Sequence, residues 1–155
     1  MASMESLRSK LEVLAIEEEN WAKKYNDLML GTNLSNIRMF LDAFAKSRDQ
    51  FSNDINNFLN KKYVINNENK TLRKLYDIQA TRHLLNAEDI DPNSLQNILL
   101  YISKAETDTY ARYEAILVDM EDSSVKKMFS NIVERRERVM LKADNIYHDM
   151  IETSV

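Results

Sequence analysis

Cysteine is absent from this 155-residue chain, which removes disulfides, thiolate metal sites and cysteine nucleophiles together. Gly and Pro occur once each, against average usage of about 7% and about 5%. The turn chemistry of closely spaced strands is therefore missing, and a single Gly cannot build a phosphate-cradling loop. No apolar run approaches the roughly 18 to 20 residues of a membrane span, which argues against a membrane partner. The opening MASMESLRSK has no hydrophobic signal region, so the expectation is a cytoplasmic protein. An excess of positive charge is missing as well. A net charge of −4 argues against nucleic acid as a partner, because the phosphate backbone requires a basic face. The pairs Lys61-Lys62 and Arg135-Arg136 are too small to supply one.

What is present suits long helices. A chain of one ordinary domain's length, 44% hydrophobic and 30% charged, predicts a single all-α domain over 1–155. The first helix is expected to start after Ser3 as N-cap and to end at Gly31, read as a left-handed residue past the helix C-terminus. Leu7, Leu11, Leu14, Glu18, Trp21, Tyr25 and Leu28 recur at spacings of four and three, a heptad seam. The second helix is expected to start near Thr32 or Asn33 and run to about Tyr63. Its seam is Ile37, Leu41, Phe44, Arg48, Phe51, Ile55 and Phe58. So short a loop makes the pair antiparallel.

Between 64 and 91 the pattern weakens. A shorter helix is predicted over 71–85 and a single turn over 87–90. The connection is long enough to run back along a bundle or to stay at one end, and both routes remain open. Asp91-Pro92 reads as N-cap followed by N1 proline. The third long helix carries Leu95, Leu99, Ile102, Glu106, Thr109, Tyr113, Ile116 and Met120, and is expected to end near Glu121. After Asp122 and Ser123, either able to cap, the fourth carries Val125, Phe129, Ile132, Arg136, Val139, Ala143, Ile146 and Met150.

Sliding the chain by 88 residues lays the first hairpin, about 4–63, on the second, about 92–152. Leu7 falls on Leu95, Glu18 on Glu106, Tyr25 on Tyr113, Phe44 on Ile132 and Arg48 on Arg136. Hydrophobic matches are expected between any two heptad helices. The matched Glu, Tyr and Arg positions carry more weight. Folding each hairpin about its loop sets Glu18 against Arg48 and Glu106 against Arg136, so two acids and two bases point inward near mid-bundle. Charges are almost never fully buried without a partner, and mutual pairing is the expected resolution.

These residues resemble the ferritin and rubrerythrin superfamily, in which two helical hairpins related by a pseudo-twofold axis enclose a di-iron site. The resemblance implies a Glu from the first helix of each half, with a Tyr seven residues later. Glu18 with Tyr25 and Glu106 with Tyr113 reproduce that spacing. It also implies a Glu-x-x-His motif on each second helix, and here the sequence departs. Arg48 and Arg136 stand at the Glu positions, Phe51 and Val139 at the His positions. The scaffold is therefore expected to be free of metal and cofactor. The order of helices is also similar to an uncharacterised six-helix bundle family of thermophilic archaea, from which no site residue carries over.

Glu18, Arg48, Glu106, Arg136, Tyr25 and Tyr113 thus form the candidate core, with no catalytic residue assigned. Its readings are a structural ion-pair network, a pocket for a small anion held by the Arg forks, or a working metal site. Trp21 is expected beside it as a core aromatic. Glu17, Glu19, Asp49, Glu134 and Glu137 read as solvated flanks. His83 and His148 lack the spacing of metal ligands. A non-enzymatic structural or interaction protein, with a homodimer through an apolar helix face left open, is favoured. The competing class is a divergent ferritin-like protein binding a metal or small anionic ligand.

Overall fold

A computed structural model describes residues 4–62 and 90–153. Four long helices make up almost all of it: α1 (Met4–Leu30), α2 (Ser35–Lys62), α3 (Leu95–Asp119) and α4 (Ser123–Thr153). The α1·α2 and α3·α4 pairs pack closely, forming a four-helix bundle of two hairpins with no strand among the described residues. The helix predicted over 71–85 and His83 lie outside the described residues. So does the predicted turn over 87–90, except for Ile90, which is not helical.

The core clusters set the helix directions. At one end Leu7 and Leu11 of α1 share a cluster with Phe58 and Leu59 of α2, Met120 after α3, and Val125 of α4. At the other, Leu28 of α1 packs with Ile37 of α2, Ile98 of α3 and Ala143 of α4. The helices therefore run up, down, down and up. Lys62 and Ile90 stand at opposite ends of a bundle roughly 42 Å long, at 1.5 Å per residue over 28 residues. The connection between them lies outside the described residues.

The seam residues are largely the core residues. Leu11, Ile37, Leu41, Ile55, Tyr25, Tyr113 and Phe129 have no exposed surface. The buried face is wider than a two-position seam: Ala15, Ala22, Leu59, Ile98, Ala105 and Val133 are buried too, as a globular bundle requires. Trp21, Leu95, Val139, Ile146 and Met150 are only half-buried.

Several termini differ from expectation, each for a local reason. Gly31 does not adopt a positive φ. Its lack of a side chain instead lets Pro92 approach, since a Cβ there would lie 3.3 Å from the Pro92 ring. Asp91 is not the N-cap of α3, because its carboxylate accepts the Asn93 N–H at 2.9 Å and closes a turn. Ser94 is the cap, in extended conformation, its hydroxyl accepting from the Asn97 N–H. The second helix begins at Ser35 because Thr32 is buried in the turn. There it accepts from the Leu34 N–H and donates to Asn93 across the hairpin ends. Helix α3 stops at Asp119, with Met120 extended as its C-cap. Asp122 caps α4 by accepting from the Ser124 and Val125 N–H groups. Replacing Ser94 or Asp122 by Ala is expected to cost about 1 kcal/mol in urea unfolding at each cap. Loss at Asp91→Ala but not at Ser94→Ala would restore the N-cap read from sequence.

Candidate functional site

The six candidate residues meet at mid-bundle, between the two apolar clusters. Glu18 comes from α1, Arg48 from α2, Glu106 from α3 and Arg136 from α4, each at a heptad position that faces the axis. All four are completely buried, as are Tyr25 and Tyr113.

Pairing holds within each hairpin, as expected, and extends between them. Arg48 Nη1 donates to Glu18 Oε1 at 2.6 Å, and Arg136 Nη1 to Glu106 Oε1 at 2.7 Å. The second amino group of each fork crosses to the other hairpin. Arg136 Nη2 donates to Glu18 Oε1 at 3.0 Å, and Arg48 Nη2 pairs with Glu106 Oε2. Every Arg thus bridges both acids and every acid holds both bases. Each carboxylate also accepts from a tyrosine, in a crosswise exchange. Tyr25 of α1 donates to Glu106 Oε2 at 2.9 Å, and Tyr113 of α3 donates to Glu18 Oε2 at 2.5 Å.

The faces of the guanidinium groups meet aromatic rings while their edges meet oxygen. Arg48 Cζ lies 5.1 Å from the Trp21 centroid and 5.5 Å from that of Tyr25. Arg136 Cζ lies 4.6 Å from Phe51 and 5.6 Å from Tyr113. Such contacts strengthen as water is excluded. One hydrogen-bond partner among the side chains outside the six has no counterpart in the repeat: Thr109 accepts from Arg48 Nη1 at 2.8 Å and donates to the Ala105 carbonyl. The matched position holds Trp21. Sequence reading placed Thr109 on the seam without assigning it a role, because a site residue found by repeat symmetry must have a twin.

Burial alone would raise the Glu106 carboxyl, but Arg136 and then Arg48 outweigh it and hold the group below its ordinary value of 4.5. Burial would likewise lower Arg48 and Arg136, and the acids reverse this, leaving both above their usual value. Burial pushes the Tyr25 and Tyr113 hydroxyls well above 10.0; Arg48 opposes it at Tyr25 and Glu18 adds to it at Tyr113. At neutral pH Glu106 is therefore ionised, Arg48 and Arg136 are charged, and the two phenols are neutral.

The resemblance implied a di-iron centre, and the residues present do not fit one. Both carboxylates are paired with two guanidinium groups and a tyrosine, guanidinium groups stand at the positions of the missing acids, and Phe51 and Val139 offer no donor. Among the described residues no group of three or more His, Asp or Glu side chains is placed to hold a metal ion. His148 Nε2 lies 3.3 Å from Asp144 on an exposed helix face. Of the flanking acids, Glu17 corrects the expectation of a solvated position: it is buried and paired with Arg112. Glu19 accepts from Ser52 and Glu137 from Tyr110, while Asp49 and Glu134 are exposed. No described helix is long and apolar enough to cross a membrane. No family model, curated protein or solved structure matches the chain.

Removing one member of a buried pair strands the other, so Arg48→Leu is expected to cost about 3 to 5 kcal/mol. Adding Glu18→Leu should recover much of that loss, and so should adding Glu106→Leu, because Arg48 bridges both acids. Thermal and urea melts of the two double-mutant cycles measure the coupling. Recovery with Glu18→Leu alone would mean that the hairpins pair independently.

The raised tyrosines set the alkaline limit. Above pH 10 the unfolded chain releases phenolic protons that the folded chain keeps, so stability from Tyr25 and Tyr113 is complete below pH 10 and falls as pH rises beyond it. Glu106 acts in the opposite sense: its contribution is complete above its ordinary value of 4.5 and is lost as pH falls toward the depressed folded value. Ultraviolet difference titration should show both phenols ionising only with unfolding. Tyr113→Phe should flatten the alkaline slope of stability, and an unchanged slope would count against the assignment.

Proposed function

We propose that the chain is a non-enzymatic, metal-free bundle of the cytoplasm with a structural or protein-interaction role, its ring of buried charges fixing how the two hairpins meet. The observation carrying this reading is the double bridging by Arg48 and Arg136, each contacting both Glu18 and Glu106 with no exposed surface. Each acid in the ring already pairs with two guanidinium groups and a tyrosine, and register-setting is the best attested use of buried polar groups. In this reading the likeness to ferritin and rubrerythrin is one of scaffold: paired hairpins, the Glu–Tyr spacing and antiparallel neighbours, without the ligand set. Self-association is the partner it admits, and sedimentation velocity measures it.

A second reading, a small anionic ligand at the centre, has one observation in its favour: the Nε donors of Arg48 and Arg136 are buried without a hydrogen-bond partner. Such donors are costly unless satisfied. Elemental analysis of protein purified without chelators or an affinity tag is expected to give far less than one iron, manganese or zinc per chain. Melts with Fe(II) or with EDTA should coincide. Stoichiometric iron or manganese, lost in both Glu18→Ala and Glu106→Ala, would replace the proposal with a divergent ferritin-like protein. A saturable rise in Tm with formate over chloride at matched ionic strength, absent in Arg136→Lys, would establish the anion reading instead.

A further inference from the structure

Helices α1 and α3 come from opposite hairpins and run antiparallel, so the repeat divides the seam between them into two equivalent halves. In the upper half the seam is filled by rings. Tyr101 of α3 lies 5.6 Å from Trp21 and 6.4 Å from Tyr25 of α1, and Trp21 lies 5.8 Å from Tyr25. The 88-residue register matches Tyr101 with Val13 and Trp21 with Thr109. In the lower half, therefore, two ring-bearing side chains are replaced by small ones, and Thr109 is turned inward to Arg48. A cleft of about 420 Å³, open to solvent, lies beside Val13 and not at the buried Thr109, bordered by Val13 and Leu14 of α1 and by Ala115 and Ile116 of α3. That volume is in the range of about 300 to 1,000 Å³ typical of small-molecule sites.

We infer that this lower α1–α3 cleft is a binding site for an uncharged, ring-bearing small molecule of one or two fused rings, which supplies beside Val13 the ring that Tyr101 provides in the upper half. The charges at its rim support an uncharged ligand. Lys10 pairs with Asp119 at 3.2 Å and Arg112 pairs with Glu17, both bonds crossing from α1 to α3. Two cations and two anions balance there, and a charged ligand would have to break a pair already made. The apolar floor rewards burial of a ring face, since burying apolar area is favourable roughly in proportion to that area. The cleft lies outside the charged ring, and its occupation is independent of the proposal for the centre.

The neutral fluorophore N-phenyl-1-naphthylamine tests the site. It is expected to bind wild-type protein saturably with one site per chain. Val13→Tyr rebuilds the upper-half ring in the lower half, and Ala115→Phe fills the cleft from the facing helix. Each should weaken binding at least about tenfold, or 1.4 kcal/mol, with unchanged helical circular dichroism. Met39→Tyr, on the exposed surface of α2, should leave the affinity as it was. If Val13→Tyr fails to fold, Ala115→Phe alone decides. Absence of saturable binding, or wild-type affinity in the folded cleft variants, would overturn the inference. So would a shift from dimer to monomer caused by Val13→Tyr without probe binding, which would assign the cleft to a second copy of the chain.

Discussion

Four charges with no contact with water are the constraint on which the rest of this bundle depends. Taking an isolated carboxylate or guanidinium out of water costs several kcal/mol even after relaxation, and Arg cannot lower that cost by giving up its proton. The ring meets the cost by geometry. Each guanidinium fork spans two acids, each acid accepts from two bases and a tyrosine, and the members come from all four helices. A hairpin folded alone would complete one Glu–Arg contact and leave the second carboxylate oxygen, and in the second hairpin the second amino group of Arg136, without the partners that the other hairpin supplies. Charge satisfaction therefore requires both hairpins at one relative height. A slip of one helical turn, about 5.4 Å, would break every bond between them.

The apolar core is organised around this layer. The lower cluster holds Phe51, Phe58, Tyr113 and Phe129, with Tyr113 and Phe129 stacked at 6.1 Å, and the upper one holds Tyr25, Ile37, Phe44 and Ile102. Hydrophobic burial is non-directional and supplies the bulk of the drive to collapse. A heptad pattern of Leu, Ile and Phe would tolerate several offsets between hairpins. The hydrogen bonds of the ring select one of them. Tyr25 and Tyr113 join the two functions, with rings inside the apolar clusters and hydroxyls on the opposite hairpin's carboxylate.

Helix number, seam and charged layer were legible because each leaves a periodic trace. Glu18, Arg48, Glu106 and Arg136 interrupt an otherwise apolar stripe at matched heights, and an ionisable residue in such a stripe needs a partner. The bonds between hairpins were not legible, since a heptad pattern fixes which face points inward and says nothing of rotation about the bundle axis. Asp91-Pro92 misled because capping preferences are local, whereas the turn there is decided by Pro92 packing on Gly31 and by Thr32 bonding Asn93. Gly31 looked like a left-handed cap for the same reason. Its smallness serves a contact 61 residues away in sequence, from position 31 to position 92.

The repeat is most informative where it fails. A protein that needed only a stable bundle could fill both halves of the α1–α3 seam in the same way, because matched helices present matched space. Instead Trp21 and Tyr101 close the upper half, while in the lower one Thr109 turns inward to Arg48 and a cleft remains beside Val13. The same exchange alters the charged layer: Arg48 gains both the Trp21 face and the Thr109 hydroxyl, whereas Arg136 is faced by Phe51 and Tyr113. The cleft leaves uncovered apolar surface that a ring at position 13 would bury, so it is a departure from the best-packed version of this fold. The difference lies beside the charged ring, whose Glu–Arg and Tyr–Glu pairings repeat across the hairpins while the aromatic and hydroxyl partners of the two Arg side chains do not.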